Sequence, residues 1–391
     1  MKNIELKSKI NRRILNGHPW IFAGEVKEIP SSGYNGSIVS VVNRNNKLVG
    51  QGFLNTNSSI LIRLLSNTGE SIDNQTFYYR IKQAIEYRKR FVKNTNAFRL
   101  IYAEADRMPG LIVDYYNNYL VIQCLCLGFE LRKDFLIKTL IDLVNPKGIY
   151  ERSDSNTRKL EGLEPFKGYI YGGKFDTKIK IEENNISYWV DIAHGQKTGF
   201  FLDQRDNRYT VVNYCDYDST VLNCFCYSGG FSIPIAKKAK KVIGIDISDQ
   251  AINLANENAK LNNVENKCEW ITGNIFDLLP EYVKQQKKYD VIILDPPSFA
   301  KTKSSIDSAK RGYKEINLRA MKLLNKGGIL VTCSCSNHID WITFESIINQ
   351  AAIDTKKQVK VLEKRGAGLD HPTLLSFPEG NYLKCLILEI S

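Results

Sequence analysis

Residues 219–248 read STVLNCFCYSGGFSIPIAKKAKKVIGIDIS, and the order of residue types in them decides the fold. A short apolar run over 221–226 is followed by a small-residue turn around Gly229 and Gly230. A segment of helical spacing comes next, then a second apolar run that stops at Asp246. Apolar runs this short, bounded by glycine and charge, read as buried strands, and strand–helix–strand order gives parallel pairing with helices covering the sheet. The rhythm continues: CEWITGN precedes a short helix, YDVIILDPP precedes the long YKEINLRAMKLLN, and GGILVTCSC precedes TFESIINQAA. These units predict an α/β, doubly wound sheet domain over residues 181–391, with its ligand at the C-terminal ends of the strands.

The chain upstream reads differently. Residues 1–72 alternate short β-like runs (GSIVSVV, LVGQGFLN, SILIRLL) with Gly, Asn and Ser turns, which predicts a small β-rich domain. Residues 73–180 begin with an Asp-started helix over about 73–92. A strand–turn–strand at 110–125 turns on Asn117 and Asn118, and an amphipathic helix over 130–144 follows. This middle stretch reads as an α+β module.

Composition narrows the function classes. Of 391 residues, 43% are apolar and 25% charged, the balance of a soluble globular protein, and no apolar run is long enough for a membrane span. The basic N-terminus lacks the apolar stretch of a secretory signal, so a cytoplasmic location is expected. The net charge is +12, and residues 1–72, 73–180 and 181–391 contribute +5, +6 and +1 of it. A basic N-terminal half joined to a near-neutral remainder fits a polyanion-binding region attached to a catalytic one. Nine cysteines without a C-x-x-C exclude a disulfide framework and a zinc ribbon. His18, His194 and His338 lack the spacing of a triad or a metal site, so no metal centre is expected.

The candidate site gathers at strand ends. Asn223, Phe225, Tyr227 and Gly229 form the first turn, whose glycines let backbone approach a ligand. Asp246 stands at the tip of the next strand, where a carboxylate accepts both hydroxyls of a ribose, and Ile247 follows it. Asn274 and Ile275 follow a third strand, placed to touch an adenine edge and face, and Asp295 ends a fourth. The first turn carries no Lys or Arg for a phosphate, which favours S-adenosyl-L-methionine over NAD or ATP.

The C-terminal half resembles a Rossmann-like class I S-adenosylmethionine-dependent methyltransferase. The whole chain resembles the bacterial family of 23S rRNA (cytosine-C5) methyltransferases with an N-terminal PUA domain. The marks are NGHPWIFAGEV (16–26), HGQKTGFFLDQRDNR (194–208), NCFCYSGGFS (223–232), LDPPSFAK (294–301), RGYKEINLRA (311–320) and TCSCS (332–336). The resemblance implies a PUA-like RNA-binding domain at 1–72, an RNA-binding middle domain at 73–180 and a catalytic domain at 181–391. It adds Gln196, Phe200, Asp203 and Arg205 to the donor site. Asn274 stands where many relatives have Asp, and its side-chain oxygen still accepts from an adenine amino group. The implied partner is 23S rRNA or a large-subunit assembly intermediate, with no membrane and with a homodimer left open.

In such an enzyme a thiolate adds to C6 of cytosine, C5 becomes nucleophilic enough to take the methyl, and a base then removes the C5 proton. Similar RNA cytosine-C5 methyltransferases carry their nucleophile at a fixed distance after the Gly pair, here Gly327 and Gly328, and the family's Ser-Cys-Ser triplet centres on the same place, so the resemblance implies Cys335 as the nucleophile, with Cys333 packing in the strand. Asp295 is the candidate to hold the cytosine N3/N4 edge, and Phe299 is a candidate to stack on the extruded base. DPPSF lacks the second cysteine of many RNA cytosine-C5 enzymes, so release uses another base or water. Lys301, Lys303, Lys310 and Arg311 are candidates for substrate phosphates. Two rival readings are an exocyclic amino N-methyltransferase and a non-catalytic RNA-binding ribosome-assembly factor.

Overall fold

A computed structural model describes residues 1–7, 12–300 and 302–391. Lys301 therefore lies outside the described residues. The chain divides into two compact units. One comprises Met1–Ile181, Val190–Leu202 and Leu369–Gly380, the other Glu182–Trp189, Asp203–Gly368 and Asn381–Ser391.

In the first unit the short alternating runs of 1–72 pair into a five-stranded sheet in the order Asn3–Glu5, Ile38–Val42, Leu48–Leu54, Ile62–Ser66, Trp20–Ile21. Its apolar positions, among them Ile4, Val39, Val41, Leu54 and Ile62, close a core of their own. A second five-stranded sheet runs Phe166–Tyr171, Gly148–Ser153, Tyr119–Cys124, Leu111–Tyr116, Ala97–Tyr102. Its hairpin turns on Asn117 and Asn118, both in left-handed backbone as such a tight turn requires. Helices Asn74–Phe91 and Lys133–Val144 bury Phe77, Ile81, Leu136 and Leu140 in a core shared with this sheet. Asp73 caps the first of them, accepting from the Thr76 N–H at 2.8 Å. Phe53 of the first sheet joins the same core, edge-on to Phe129 at 5.0 Å between centroids. A side chain at Gly128 would strike its ring.

The second unit holds the sheet that the opening stretch foretells. Its strands are β1 (Thr220–Cys224), β2 (Lys241–Asp246), β3 (Cys268–Thr272), β4 (Tyr289–Leu294), β5 (Leu324–Ser334), β6 (Val359–Arg365) and β7 (Lys384–Ile390). They lie in the order β3-β2-β1-β4-β5-β7-β6. β1 to β5 pair in parallel, and β7 enters antiparallel between β5 and β6. The helices are α1 (Arg205–Val211), α2 (Ser232–Ala236), α3 (Asp249–Leu261), α4 (Ile275–Lys284), α5 (Ile306–Leu323) and α6 (Trp341–Thr355). Leu222, Ile245, Ile292, Leu294, Tyr313, Ile316, Phe344 and Leu386 belong to one apolar core between sheet and helices. Strand order reverses between β1 and β4, which opens a crevice at their C-terminal ends.

A buried ion pair ties α1 into this unit: Arg208 donates to both carboxylate oxygens of Glu183 at 2.8 and 2.6 Å, and each side chain is 3% exposed. Removing one partner strands the other charge without water. Glu183→Ala is expected to cost about 3–5 kcal/mol of stability in urea unfolding, far more than a typical exposed pair.

Candidate active site

The crevice is built from the loops that follow β1, β2, β4 and β5. After β1 the backbone folds back sharply: Phe225, Tyr227 and Gly229 all have positive φ. Two non-glycine residues in this region mark stored strain, which is concentrated at functional sites. Gly229 is required, because its φ is +81° and a Cβ there would sit 3.0 Å from the Trp270 ring. The turn delivers the Tyr227 N–H to the Asp246 carboxylate at 2.9 Å, while the Ser248 N–H takes its other oxygen at 3.0 Å. Asp246 is thereby fixed at the end of β2. Ile247 beside it is 73% exposed, an apolar surface next to a held carboxylate. Asn223 is buried and donates to Ser232 Oγ at 2.8 Å, and its Oδ1 has no hydrogen-bond partner among the described residues.

Asn274 caps α4, accepting from the Phe276 N–H at 3.1 Å and donating to Asp277 at 2.9 Å. One lone pair of its oxygen remains for a ligand amino group. Ile275 is 2% exposed within the core, whereas the neighbouring Phe276 is 38% exposed and lies 5.7 Å from the Phe299 ring. Phe299 packs with Phe276, Phe225 and Tyr313 in an aromatic cluster.

Asp295 follows β4 and accepts from Gln204 Nε2 at 3.0 Å. Gln204 accepts in turn from Asn207 at 2.7 Å, and Arg365 donates to Asn207 at 2.9 Å. This relay from β6 to the crevice was not read from the sequence. Its signal was present, since Gln204 and Asn207 lie in the same run as Asp203 and Arg205. Asp203 is buried, accepts from the Tyr382 hydroxyl and takes the Gly368 N–H on its backbone oxygen. Arg205, also buried, donates to Asp206 at 3.0 Å. Gln196 and Phe200 fall in the first unit, Gln196 exposed and Phe200 buried. Asp191, His194, Thr198 and Gly195 of the same segment are tied to one another or to Asp114 and Arg152.

β5 ends at Ser334, so Cys335 stands at its mouth. Cys335 is half-buried, and its Sγ lies 3.9 Å from the carbonyl oxygen of Pro296, the residue after Asp295. Cys333 is fully buried opposite Cys385, and the hydrogen bond between them together with burial pushes its thiol well above the usual range. The flanking serines are anchored. Ser336 Oγ is 3.0 Å from both Ser298 Oγ and the Tyr313 hydroxyl, and Ser334 donates to that hydroxyl at 3.0 Å. Tyr313, which burial pushes up to about 12, is thus a neutral clamp between β5, α5 and the loop after β4. Elsewhere, Cys124, Glu130 and Glu151 converge as a metal site would. However, Lys133 spans the two carboxylates at 2.6 and 3.1 Å and Arg158 reaches Glu130 at 2.7 Å, so the protein's own cations neutralise the cluster.

Residues 4–67 match a PUA-like domain family, and residues 167–364 match a family described as S-adenosylmethionine-dependent methyltransferase. The chain is 40% identical to ribosomal RNA large subunit methyltransferase I of Tolumonas auensis, covering 99% of this chain and 98% of that one. It is 37% identical to the protein of the same description from Alteromonas mediterranea, over 99% and 98%. Among solved structures it superposes on a methyltransferase complexed with SAH (TM-score 0.87, 22% identity) and on a SAM-dependent methyltransferase from Streptococcus mutans (0.85, 20%). Each superposition covers 100% of both chains. The residues present have the chemistry that such a donor needs: a fixed carboxylate at Asp246, an exposed apolar side chain at Ile247 and a buried amide oxygen at Asn223 without a partner among the described residues. Asp246→Ala removes the acceptor and also releases the Tyr227 and Ser248 N–H groups. Calorimetric titration with S-adenosylmethionine is expected to read a loss of about 1.5–3 kcal/mol, roughly tenfold or more in affinity.

Proposed function

Since the chain belongs to the S-adenosylmethionine-dependent methyltransferases together with ribosomal RNA large subunit methyltransferase I, we propose that it forms 5-methylcytidine in 23S rRNA. Asp246, Ile247, Asn274 and the Asn223–Gly229 turn hold the methyl donor. When bound, S-adenosylmethionine supplies an electrophilic methyl group. The PUA-like domain and the basic surplus of residues 1–180 grip RNA through phosphate and shape.

The reading of the base and of the nucleophile rests on one observation. Cys335 is the half-buried thiol at the end of β5, against the loop that begins with Asp295, while Cys333 is sealed in the sheet. In this reading the Cys335 thiolate adds to C6 of an extruded cytosine as N3 takes a proton from solvent, and the Asp295 carboxylate accepts from the N3–H and N4 amino group of the protonated adduct. C5 would take the methyl as the methyl–sulfonium bond breaks, with S-adenosylhomocysteine as the leaving group; the C5 proton then leaves to a base or water, and the S–C6 bond breaks to return the thiolate. The Gln204 amide keeps Asp295 turned toward the crevice, and the serine–tyrosine clamp limits the motion of the Cys335 backbone.

Unmodified 23S rRNA and labelled S-adenosylmethionine, followed by mass spectrometry of the nucleosides, test this directly. Wild type and Cys333→Ala are expected to yield 5-methylcytidine, and Cys335→Ala none. An N4-methylated product, or full activity in Cys335→Ala, would assign the site to amino-group methylation. RNA binding without any transfer by wild type would leave only a binding factor. A smaller effect is expected for Gln204→Ala: kcat falls by about tenfold to a hundredfold through a mobile Asp295, with donor affinity little changed.

A further inference from the structure

A buried lysine normally has a carboxylate within reach. Lys384 is 1% exposed, and its two hydrogen bonds go to backbone carbonyls, Ser336 at 2.9 Å and Tyr382 at 2.7 Å. It opens β7 directly opposite Ser334 in the β5–β7 register. The ammonium is thereby held against the backbone of the residue that follows Cys335, inside the same Ser334–Ser336 segment that Tyr313 clamps. Neither of its hydrogen-bond partners carries charge, so what the cation serves must be sought beyond them.

Burial draws Lys384 down to about 8, against Cys335 and Asp340, which both favour the protonated amine. Asp340 is exposed at the N-terminus of α6, accepts from the Thr343 N–H at 2.8 Å and is also faced by Lys310. Tyr313 faces Cys335 but is neutral at working pH. An interaction by which the thiolate favours the ammonium acts equally in reverse.

We propose that Lys384 is a positioning residue that holds Cys335 as its thiolate, the form able to attack carbon. Ionisation of Cys335 releases its proton to solvent. No bond to Lys384 forms, and the sulfur lone pair stays available for the S–C6 bond. The effect is present while Lys384 is charged and fades as pH rises through about 8. The inference rests on the reading of Cys335 as nucleophile given above, but its test needs neither RNA nor donor.

The full chain is alkylated with iodoacetamide from pH 5.5 to 10, and fragment-ion mass spectrometry follows Cys335 apart from Cys333 on the same peptide and from the other seven cysteines. Lys384→Gln keeps N–H donors for both carbonyls and deletes the charge. Its Cys335 alkylation midpoint is expected to rise by about one pH unit, roughly tenfold slower reaction at pH 7, while Lys384→Arg stays within about threefold of wild type. If Lys384→Gln melts far below wild type, Lys384→Met fills the same space without charge and takes its place. A charge-deleted variant that is folded and keeps the wild-type midpoint overturns the proposal and leaves the RNA reading untouched. Methylation by Cys335→Ala would sink the RNA reading, while the alkylation midpoints would still decide the pairing of the two residues.

Discussion

The parallel pairing of Thr220–Cys224 with Tyr289–Leu294 is the constraint from which the catalytic unit follows. Strands on one side of this pair are added in the order β2, β3 and on the other as β5, β7, β6, so the helices must cross opposite faces. No helix can cover the C-terminal ends of both strands at the reversal, and a crevice is left there. The glycine turn after β1 and the Asp-Pro-Pro loop after β4 therefore open side by side. The apolar runs of both strands are fully buried, so the spacing between the loops is set by packed core rather than by the loops themselves.

On that frame each candidate group is held by a partner that constrains it. Asp246 is locked by two backbone N–H groups, Asp295 by the Arg365–Asn207–Gln204 relay, and Cys335 by serines bound to Tyr313 and Ser298. Side chains prearranged in this way need little reorganisation when a substrate arrives. The candidate site consequently draws on Arg365 of β6 and on the contact of β7 with the Ser334–Ser336 segment, as well as on the strands that carry the donor motifs.

Much of the candidate donor site was legible because its residues are marked by local pattern. A turn glycine, an aspartate at a strand tip and an asparagine capping a helix each sit where an apolar run ends. The middle of the site was not legible. Gln204, Asn207, Tyr313, Ser334, Ser336 and Lys384 act through contacts with residues 20 to 160 positions away, and no periodicity marks them. Ile275, read as touching an adenine face, lies in the core because the first turn of α4 points it inward, while Phe276 keeps the exposed position.

The sequence by itself determined the α/β class, the repeated strand–helix units of a parallel sheet, the β-rich start of the chain and the place of Asp246, Asn274 and Asp295 just where apolar runs end. Each follows from the alternation of apolar runs with glycine turns and helical spacing, which is local information. Only the tertiary structure decided how β7 inserts between β5 and β6, and with it what surrounds the two cysteines of TCSCS. An antiparallel strand from the end of the chain seals Cys333 against Cys385 and brings a buried ammonium beside the segment of Cys335. The two thiols are identical in composition and two residues apart. Burial, hydrogen bonding and a neighbouring charge separate them, and all three arise from the pairing of distant strands.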